Sequence, residues 1–438
     1  MPGHPMGFEV SERVLEMLDW GAVEAALAEE TVSPEGRRLA LARDWADDAE
    51  VPERLAEVTE ARALLAAGRN PLHPGMQEIA PHLAQAAKGK VLGGLELLRI
   101  GETLRAARMT RTALQGSRDA APRLAALGDA LPDLSDLEQM LLRSFDHAGH
   151  LCDDASPALC DARREVAQLT TKIQKRITAA LASSALAPHL QDHFYTLRAD
   201  RYVLPIKIES RGRVPGIVHD VSASGTTVFV EPGDIVDLNN RLRFAERAEE
   251  RESIRILTAL GARVGENIEA VGLSLDVLGR IDRIIAGARL SDRLAAHPPE
   301  VSPRPMLALR LARHPLLALR DDPVVSNDIA VGADYDGLIL TGPNAGGKTV
   351  ALKTAGLAVL LTRAGLHVPA EPGSTVGLFR RLHADIGDDQ NIAESLSTFS
   401  GQIAQIVRFL DLSDAGTLVL IDEIIVGTDP AEGGVLAQ

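Results

Sequence analysis

The chain has 438 residues, of which 45% are hydrophobic and 24% are charged, as in ordinary soluble globular proteins. Its length allows two to four domains, and no stretch approaches the ~18 consecutive apolar residues of a membrane span. The net charge of −15 excludes a general polyanion-binding surface, so any nucleic-acid contact must come from a local basic patch.

The sequence contains two cysteines, Cys152 and Cys160, which is too few for a disulfide scaffold. No histidine accompanies them at ligand spacing, so they do not indicate zinc, and we expect reduced thiols. The N-terminus lacks the basic-then-apolar order of a signal peptide. We therefore expect a cytoplasmic protein that has no membrane partner, whether free or on the nucleoid.

Residues 11–118 have a helical period and are rich in Ala, Leu, Glu and Arg. Ser33-Pro34-Glu35 predicts a helix start, because Ser is a favoured N-cap and Pro a favoured first residue. No motif with chemical content occurs in this region. We expect an N-terminal helical packing region over 1–118.

Two long amphipathic helices are predicted further along the chain. The first begins at Ser156-Pro157, and the second follows from Asp234. Both carry apolar residues at spacings of three and four, and we expect an antiparallel pair reaching out from the body. The apolar positions are Val166, Leu169, Ile173, Ile177 and Leu181 in the first, and Ile235, Leu238, Leu242, Ile254, Leu257, Val264 and Ile268 in the second.

Residues 194–232, between these helices, are rich in β-branched and aromatic side chains and are broken by turns at 199–200 and 223–225. We predict a small antiparallel β unit at the tip of the helix pair. This segment contains more basic than acidic residues, although the chain as a whole is acidic. They form either a solvated strand face or a phosphate-backbone contact at the end of a long arm. These residues are Arg198, Arg201, Lys207, Arg211 and Arg213.

After a Pro-containing linker at 297–304, strands and helices alternate, which is typical of an α/β domain. Residues 342–349 read GPNAGGKT, a match to the phosphate-binding loop, between an apolar run at 335–341 predicted to be a buried strand and a helix predicted over 350–361. Backbone N–H groups freed by the glycines, together with the helix N-terminus, would hold phosphate oxygens. Lys348 would reach the β- and γ-phosphates of ATP, and Thr349 would hold Mg²⁺. The nucleotide-binding residues are Gly342, Pro343, Asn344, Ala345, Gly346, Gly347, Lys348, Thr349 and Val350.

An apolar run at 417–421 ends in paired acids. Asp422 would supply the outer-sphere contact to Mg²⁺, and Glu423 would orient and deprotonate the attacking water. Ser397 begins the segment STFS before an apolar-periodic helix, which is either an ordinary N-cap or an anion site. Residues 384–390 place several carboxylates on a loop suited to sensing metal or water.

Taken in order, the segments ARHPLL (312–317), VVSND (324–328), TGPNAGGKT (341–349), ADIGDDQNIAESLSTFS (384–400) and LVLIDE…GTDPAEGG (418–434) resemble the MutS ATPases. More narrowly, they resemble the second bacterial branch, MutS-two, which suppresses homologous recombination. Residues 202–232 are similar to that branch's clamp segment.

The resemblance implies a multidomain α plus α/β fold. Its parts are a helical core at 1–118, further core with an ascending lever helix at 119–193, a β clamp at 194–232, a descending lever helix at 233–296, and an ABC-type ATPase domain at 297–438. It also implies a homodimer closing around DNA, with ATP between the subunits and Ser397 reaching the γ-phosphate in trans. Val324 lies where the family often stacks an aromatic ring on adenine, so we expect a weaker, purely apolar contact there.

The mismatch-reading domain of the repair branch has no counterpart here. Phe-x-Glu occurs only at 229–231 and 244–246, inside the clamp and a lever helix, which we interpret as chance. The expected ligand is therefore branched DNA, such as Holliday junctions and D-loops, with ribosomal RNA as the alternative polyanion. Ile425 and Val426 depart from the small residues usual after the acidic pair and would stiffen that turn.

The sequence ends at Gln438 within a helical pattern that has no C-cap signal. The family's remaining ATPase strands, its switch histidine and its Smr nuclease domain would follow this point, so we expect a fragment. The trans site and the switch histidine would then not both be complete. For that reason we expect feeble ATP hydrolysis from this chain and nuclease activity in the Smr domain of the intact protein.

Three functional hypotheses apply to the whole chain. The leading hypothesis is an ATP-dependent DNA-binding protein that engages branched recombination intermediates. The second is a ribosome-associated ATPase acting on collided ribosomes through ribosomal RNA. A third, a structural ATPase of the chromosome-organising kind, is disfavoured because helices of ~50 residues or fewer, at ~1.5 Å per residue, are short for that architecture.

Overall fold

The computed structural model describes residues 7–320, 323–343, 346–386 and 406–422. The chain divides into two compact units, and each is described by itself. The first unit contains most of the predicted N-terminal helical region, without its residues 79–102, and the predicted ATPase segment, over Met1–Glu78, Thr103–Asp133 and Ala270–Gln438. The second contains most of the predicted lever pair and the whole β insert, over Ile79–Glu102 and Leu134–Glu269.

Helices make up most of the described chain, and none of them joins enough length to enough apolar character for a membrane crossing. In chain order they are α1 (Glu12–Met17), α2 (Trp20–Glu29), α3 (Pro34–Ala40), α4 (Glu50–Ala66), α5 (Ala80–Ala86), α6 (Gly94–Gln115), α7 (Pro122–Asp129), α8 (Ser135–Ser144), α9 (Pro157–Leu181), α10 (Gly233–Glu266), α11 (Ile268–Arg293), α12 (Pro315–Ala318) and α13 (Lys348–Arg363).

The described strands form three small sheets. In chain order the strands are β1 (Glu9–Val10), β2 (Thr196–Arg198), β3 (Arg201–Lys207), β4 (Gly216–Val221), β5 (Thr227–Pro232), β6 (Glu300–Ser302), β7 (Leu307–Ala312), β8 (Asn327–Val331), β9 (Thr375–Gly377), β10 (Arg381–Asp385) and β11 (Thr417–Ile421). The sheet orders are β1-β10-β11, β2-β3-β5-β4 and β6-β9-β7-β8. The first sheet is parallel and the second antiparallel, while the third mixes both directions.

Helix α13 forms the centre of the first unit. Leu357 and Leu360 are fully buried there and belong to a cluster with Leu382 of β10 and Leu420 of β11. Gly356 lets the helix approach its neighbours, because a Cβ at this position would lie 2.8 Å from a methyl of Leu420. The helix predicted over 350–361 is therefore confirmed, and it continues for two residues at each end.

Strand β1 joins the parallel sheet from the other end of the chain. Glu9 pairs in register with Arg381, and Arg381 Nε donates to the Glu9 carboxylate at 2.8 Å. Next to it, Phe8 packs edge-on against Trp45, with ring centroids 5.6 Å apart. Sequence analysis missed this strand because two residues carry no periodicity.

In the second unit, the predicted helix pair and its apolar face are largely confirmed. Leu169, Ile173 and Ile177 of α9 are buried, and they share one cluster with Leu238 and Leu242 of α10. The prediction for Ile254 is wrong, because its side chain is 53% exposed. Ile256 and Leu260 hold the buried positions on that part of α10, two residues out of phase with Ile254.

The predicted β insert is confirmed as an antiparallel sheet of β2 to β5. The turn between β2 and β3 has left-handed backbone at Ala199 (φ 48°) and Asp200 (φ 56°), the conformation of a tight hairpin turn. Gly225, in the turn before β5, has φ 72°. Buried Leu204, Ile206 and Val230 place one face of this sheet in the core shared with α9 and α10.

The buried strand predicted over 335–341 is not formed. Its residues have no strand structure, and the side chain of Ile339 is 84% exposed. A strand needs a hydrogen-bonded neighbour to satisfy its backbone groups, and residues 335–341 pair with no described strand. An apolar run alone does not supply that neighbour.

The first unit contains two buried histidines with lowered pKa values, and one of them, His367, joins two elements. His367 follows α13, and its Nε2 lies 3.0 Å from the hydroxyl of Thr59 on α4. Burial lowers the pKa of His367 to about 4. Burial likewise lowers the pKa of His314 to about 4, with the nearby Lys353 charge acting in the same direction.

We predict that the first unit loses stability as the pH falls from about 6.5 to 4. In that window an unfolded histidine, with a pKa near 6.5, takes up a proton that buried His367 does not bind. The free energy of unfolding should drop by about 2 kcal/mol for this residue between pH 7 and pH 5. Urea denaturation followed by the fluorescence of Trp20 and Trp45 would measure it.

In that experiment, His367→Gln should remove about half of the histidine-dependent loss, since His314 contributes the rest. His193→Gln replaces an exposed histidine that no ion pair engages among the described residues, and it serves as the matched control. The assignment is wrong if His367→Gln and the wild-type chain lose the same free energy between the two pH values.

Candidate functional site

The described part of the phosphate-binding loop leads directly into α13. Gly347 precedes the helix with φ 81°, a left-handed conformation that favours glycine, and Lys348 is the first helical residue. The Lys348 ammonium folds back over the loop and donates to the carbonyl oxygen of Gly342 at 2.7 Å. The positive end of the helix dipole and the lysine charge therefore lie at the same place, as anion binding requires.

Thr349 and Asp422 meet although 73 residues separate them. The Thr349 hydroxyl donates to Oδ2 of Asp422 at 2.5 Å. Strand β11 ends one residue before Asp422, whose N–H donates to the carbonyl of Asp385 at the end of β10, at 2.9 Å. The carboxyl ends of the parallel strands β10 and β11 thus lie at one edge of the sheet. The residue that follows β11, Asp422, contacts the first turn of α13 there.

The oxygen atoms gathered here fit a magnesium nucleotide. A hydroxyl and a carboxylate are hard donors of the kind Mg²⁺ prefers, and Mg²⁺ in such sites keeps waters and phosphate oxygens as its other ligands. Lys348, Thr349 and Asp422 thus lie together at the N-terminus of α13, and their roles toward a nucleotide stay predictions. Asp385, inside the acidic segment at 384–390, ends β10 and contacts Asp422 through its backbone carbonyl.

Arg363, at the far end of α13, was missed by sequence analysis. It is 2% exposed, and its guanidinium donates to the carbonyl oxygens of Ala46 at 3.2 Å and Phe379 at 2.5 Å. It also contacts Asp48 at 2.7 Å. The signal in the sequence was an arginine at the end of a long apolar helix. An arginine in such a place needs several partners, because its charge is rarely buried without them.

The remaining predicted nucleotide residues have different outcomes. Val350 lies exposed in the first turn of α13, and Val324 is half-buried before β8, where neighbouring Val325 is more exposed. The adenine contact predicted for Val324 therefore stays a prediction. Several predicted residues lie outside the described part of the chain, namely Asn344, Ala345, Ser397, Glu423, Ile425 and Val426.

Three of the five basic residues predicted at the tip have protein partners. Arg201 donates to the fully buried carboxylate of Glu231 at 2.8 Å. Arg198 pairs with Asp220 at 3.2 Å and lies 4.3 Å from the ring centroid of Phe229. These contacts give Arg201 a structural role and leave Arg198 only partly available to a ligand.

Lys207 is the third basic residue with a protein partner, and it is half-buried. Lys207 donates to the carbonyl of Pro188 at 3.2 Å. Arg211 and Arg213 lie in the exposed turn between β3 and β4, where no ion pair engages either of them within the described chain. Of the predicted nucleic-acid residues, these two are best placed to contact phosphates.

The buried Glu231 is a polar centre of the tip that sequence analysis missed. Besides Arg201, its carboxylate accepts from Asn239 Nδ2 at 2.7 Å and lies 2.5 Å from Nε2 of His219. A buried carboxylate is tolerated only when such partners replace water. The signal in the sequence was an acid at the end of the apolar run TVFVE.

Comparison with known proteins identifies relatives along nearly the whole chain. Residues 338–438 match the family of MutS domain V. "Endonuclease MutS2" of Pelotomaculum thermopropionicum is 41% identical over 430 residues, covering 98% of this chain and 54% of that protein. The proteins of the same name from Symbiobacterium thermophilum and Halalkalibacterium halodurans are 41% and 39% identical, covering 98% and 97% of this chain and 54% and 55% of those proteins. The chain thus spans about half the length of these curated relatives.

We predict that Asp422→Asn weakens the Mg²⁺-dependent part of nucleotide binding. The substitution keeps the shape of the side chain but removes its negative charge, and changes of this kind beside a metal cost roughly 10- to 100-fold in metal affinity. Titration of a fluorescent ATP analogue with Mg²⁺, and again with EDTA, would separate the two contributions.

Two further variants serve as controls for that measurement. Lys348→Ala should abolish nucleotide binding under both conditions. Asp411→Asn removes the same charge from an exposed site near β11 and should bind like the wild-type chain. An identical Mg²⁺ dependence in Asp422→Asn and wild type would remove Asp422 from the metal site.

Proposed function

Since this chain belongs to the MutS family, in the branch of the proteins named Endonuclease MutS2, we propose that it binds ATP with Mg²⁺ and contacts nucleic acid through its β insert. In this proposal residues 297–438 act as an ABC-type ATPase segment, residues 194–232 as the clamp, and α9 with α10 as the levers.

The observation that carries the nucleotide half of this proposal is the contact between Thr349 and Asp422. Two motifs distant in the sequence converge on the N-terminus of α13, where Lys348 is also located. An apolar core does not require this convergence of a hydroxyl, a carboxylate and an ammonium, whereas a magnesium nucleotide does.

Each residue has a separate task in the proposed reaction. The N-terminus of α13 and Lys348 bind and orient the phosphates, so that the γ-phosphate is fixed for in-line attack. Thr349 and Asp422 would hold Mg²⁺, which neutralises charge developing on the phosphate oxygens when it is bound. Glu423 would take the proton of the attacking water, and Ser397 of a second copy would contact the γ-phosphate.

For the nucleic-acid half, we propose that the ligand is branched DNA, such as Holliday junctions or D-loops, and that binding suppresses homologous recombination. Arg211 and Arg213 support it, because two exposed guanidinium groups in one turn of a chain with net charge −15 favour phosphate contact. The relatives are named endonucleases, and we propose that the intact protein likewise cuts the DNA that it engages. A homodimer closed around DNA completes the proposal.

Ribosomal RNA is the second candidate ligand for the same tip. Arg211 and Arg213 would contact phosphates of either nucleic acid, because backbone contacts carry no sequence information. Competition between ribosomes and junction DNA for one site would distinguish the two ligands. Ribosome binding that persists without residues 194–231 would indicate docking elsewhere.

We predict that Glu423→Gln keeps nucleotide affinity but lowers hydrolysis by about 100-fold or more, because a neutral amide cannot accept the proton of the attacking water. Single-turnover hydrolysis with the chain in excess over ATP would measure the step directly. Glu371→Gln, an exposed change in the same segment, is the control. Hydrolysis by Glu423→Gln at the wild-type rate would show that Glu423 is not the base.

We predict that junction DNA binds more tightly than plain duplex and that the affinity falls steeply with salt. Replacing Arg211 and Arg213 together by Gln should lower the slope of log Kd against log salt by about 2, since each phosphate contact contributes roughly one unit. Electrophoretic shifts over a salt series would measure it. Arg164 and Arg263, each paired with a nearby carboxylate, provide a double control with the same charge change. Equal affinity for junction and duplex, or no dependence on salt, would contradict the proposal.

A further inference from the structure

Helix α10 presents a row of side chains that its own core does not use. Arg241, Phe244, Arg247 and Arg251 follow one another at spacings of three and four residues, which places them on one side of the helix. All four side chains are exposed, and that of Phe244 is 69% exposed. We call this set the arginine–phenylalanine row.

The helix cannot rotate to hide this ring. Leu238, Leu242 and Ala245 hold the opposite side of α10 in the core shared with α9 and the β insert. The Phe-x-Glu at 244–246 is not a functional pair either, because Glu246 is bonded to Arg243 at 3.1 Å, more than half a turn away from Phe244. The packing of α10 therefore keeps Phe244 exposed. Its apolar ring in contact with water is less favourable than a polar side chain would be at the same position.

The arginines of the row are largely uncompensated. Arg241 has one weak contact, at 3.4 Å from Glu165, and no ion pair engages Arg247 or Arg251 among the described residues. Of the acids that follow on α10, Glu249 is bonded to Arg163 and Glu252 to Arg255, while the exposed Glu250 has no ion pair among the described residues. An exposed ring beside one weakly paired and two unpaired guanidinium groups therefore stands out on a chain whose net charge is −15.

This combination favours a nucleic acid over a second copy of the chain. Two identical rows would bring like charges together, which opposes self-association. A nucleic acid satisfies both parts of the row, because its phosphates pair with arginine and its bases have flat faces that stack on aromatic rings. Residues 241 to 251 span about 15 Å of helix, against one phosphate per ~3.4 Å along a stacked strand.

We propose that Phe244 is a stacking platform for an unpaired base, with Arg241, Arg247 and Arg251 contacting the phosphates beside it. The inference rests on the proposed nucleic-acid function and adds to it a second contact site, distinct from the turn that carries Arg211 and Arg213. It also assigns a chemical preference, for nucleotides that are not held in a duplex, such as those at branch points and in single strands.

The test is fluorescence anisotropy of the full chain with a labelled 20-nucleotide single strand and with the same strand carrying abasic positions. Phe244→Ala should weaken binding of the normal strand by about 5- to 100-fold, and Phe244→Trp should restore it. On the abasic strand, wild type and Phe244→Ala should bind alike. Leu273→Ala, which removes an exposed apolar side chain from α11 rather than α10, should bind the normal strand like wild type.

The possible outcomes separate this inference from the function on which it rests. If the wild-type chain binds no nucleic acid, the proposed function fails and the platform with it. If wild type binds while Phe244→Ala binds equally well, only the platform is overturned. A change in sedimentation of Phe244→Ala, with an unchanged Kd, would instead make the row an interface between copies. Circular dichroism melting of each variant establishes that it is folded.

Discussion

Arg363 ends α13 inside the first unit, and its guanidinium has exchanged water for the carbonyl oxygens of Ala46 and Phe379 and the carboxylate of Asp48. Burying a guanidinium is costly unless such partners replace its hydration, and leaving it without them costs more still. The segments at 46–48 and 379 must therefore hold their positions for α13 to stay buried. Because the phosphate-binding loop leads into the other end of this helix, its location depends on the same contacts.

Helix α13 consequently acts as a rigid connection between the proposed ligand and the N-terminal helices. Its 16 residues extend about 24 Å, and its middle is close-packed, since Gly356 leaves no room for a side chain against Leu420 and Leu18. The phosphate-binding loop and the contacts of Arg363 therefore lie at the two ends of one close-packed helix.

How well the sequence predicts a feature depends on whether that feature is set by a local pattern or by contacts between segments far apart in the chain. The buried stripe of α9 and the meeting of Thr349 with Asp422 were predictable, because a helical period and a loop motif each specify local geometry with known partners. Ile254 was misassigned because the buried stripe of α10 keeps one phase, from Leu238 to Ile256, and an apolar residue outside that stripe stays exposed. The strand expected at 335–341 and the network around Glu231 depended on neighbours that no local pattern reveals. The same is true of Phe244, since its exposure is evident only once the packed side of α10 is known.

Strand β1 has a consequence for the order in which the protein can fold. Glu9 and Arg381 are 372 positions apart, so at roughly 5 to 20 residues per second the first residues wait about 20 to 70 s for their partner during synthesis. Closing the parallel sheet is therefore a late event with a large loop-closure cost. Until then the future β1 is an unpaired edge. Its length of two residues limits what it can pair with wrongly while it waits.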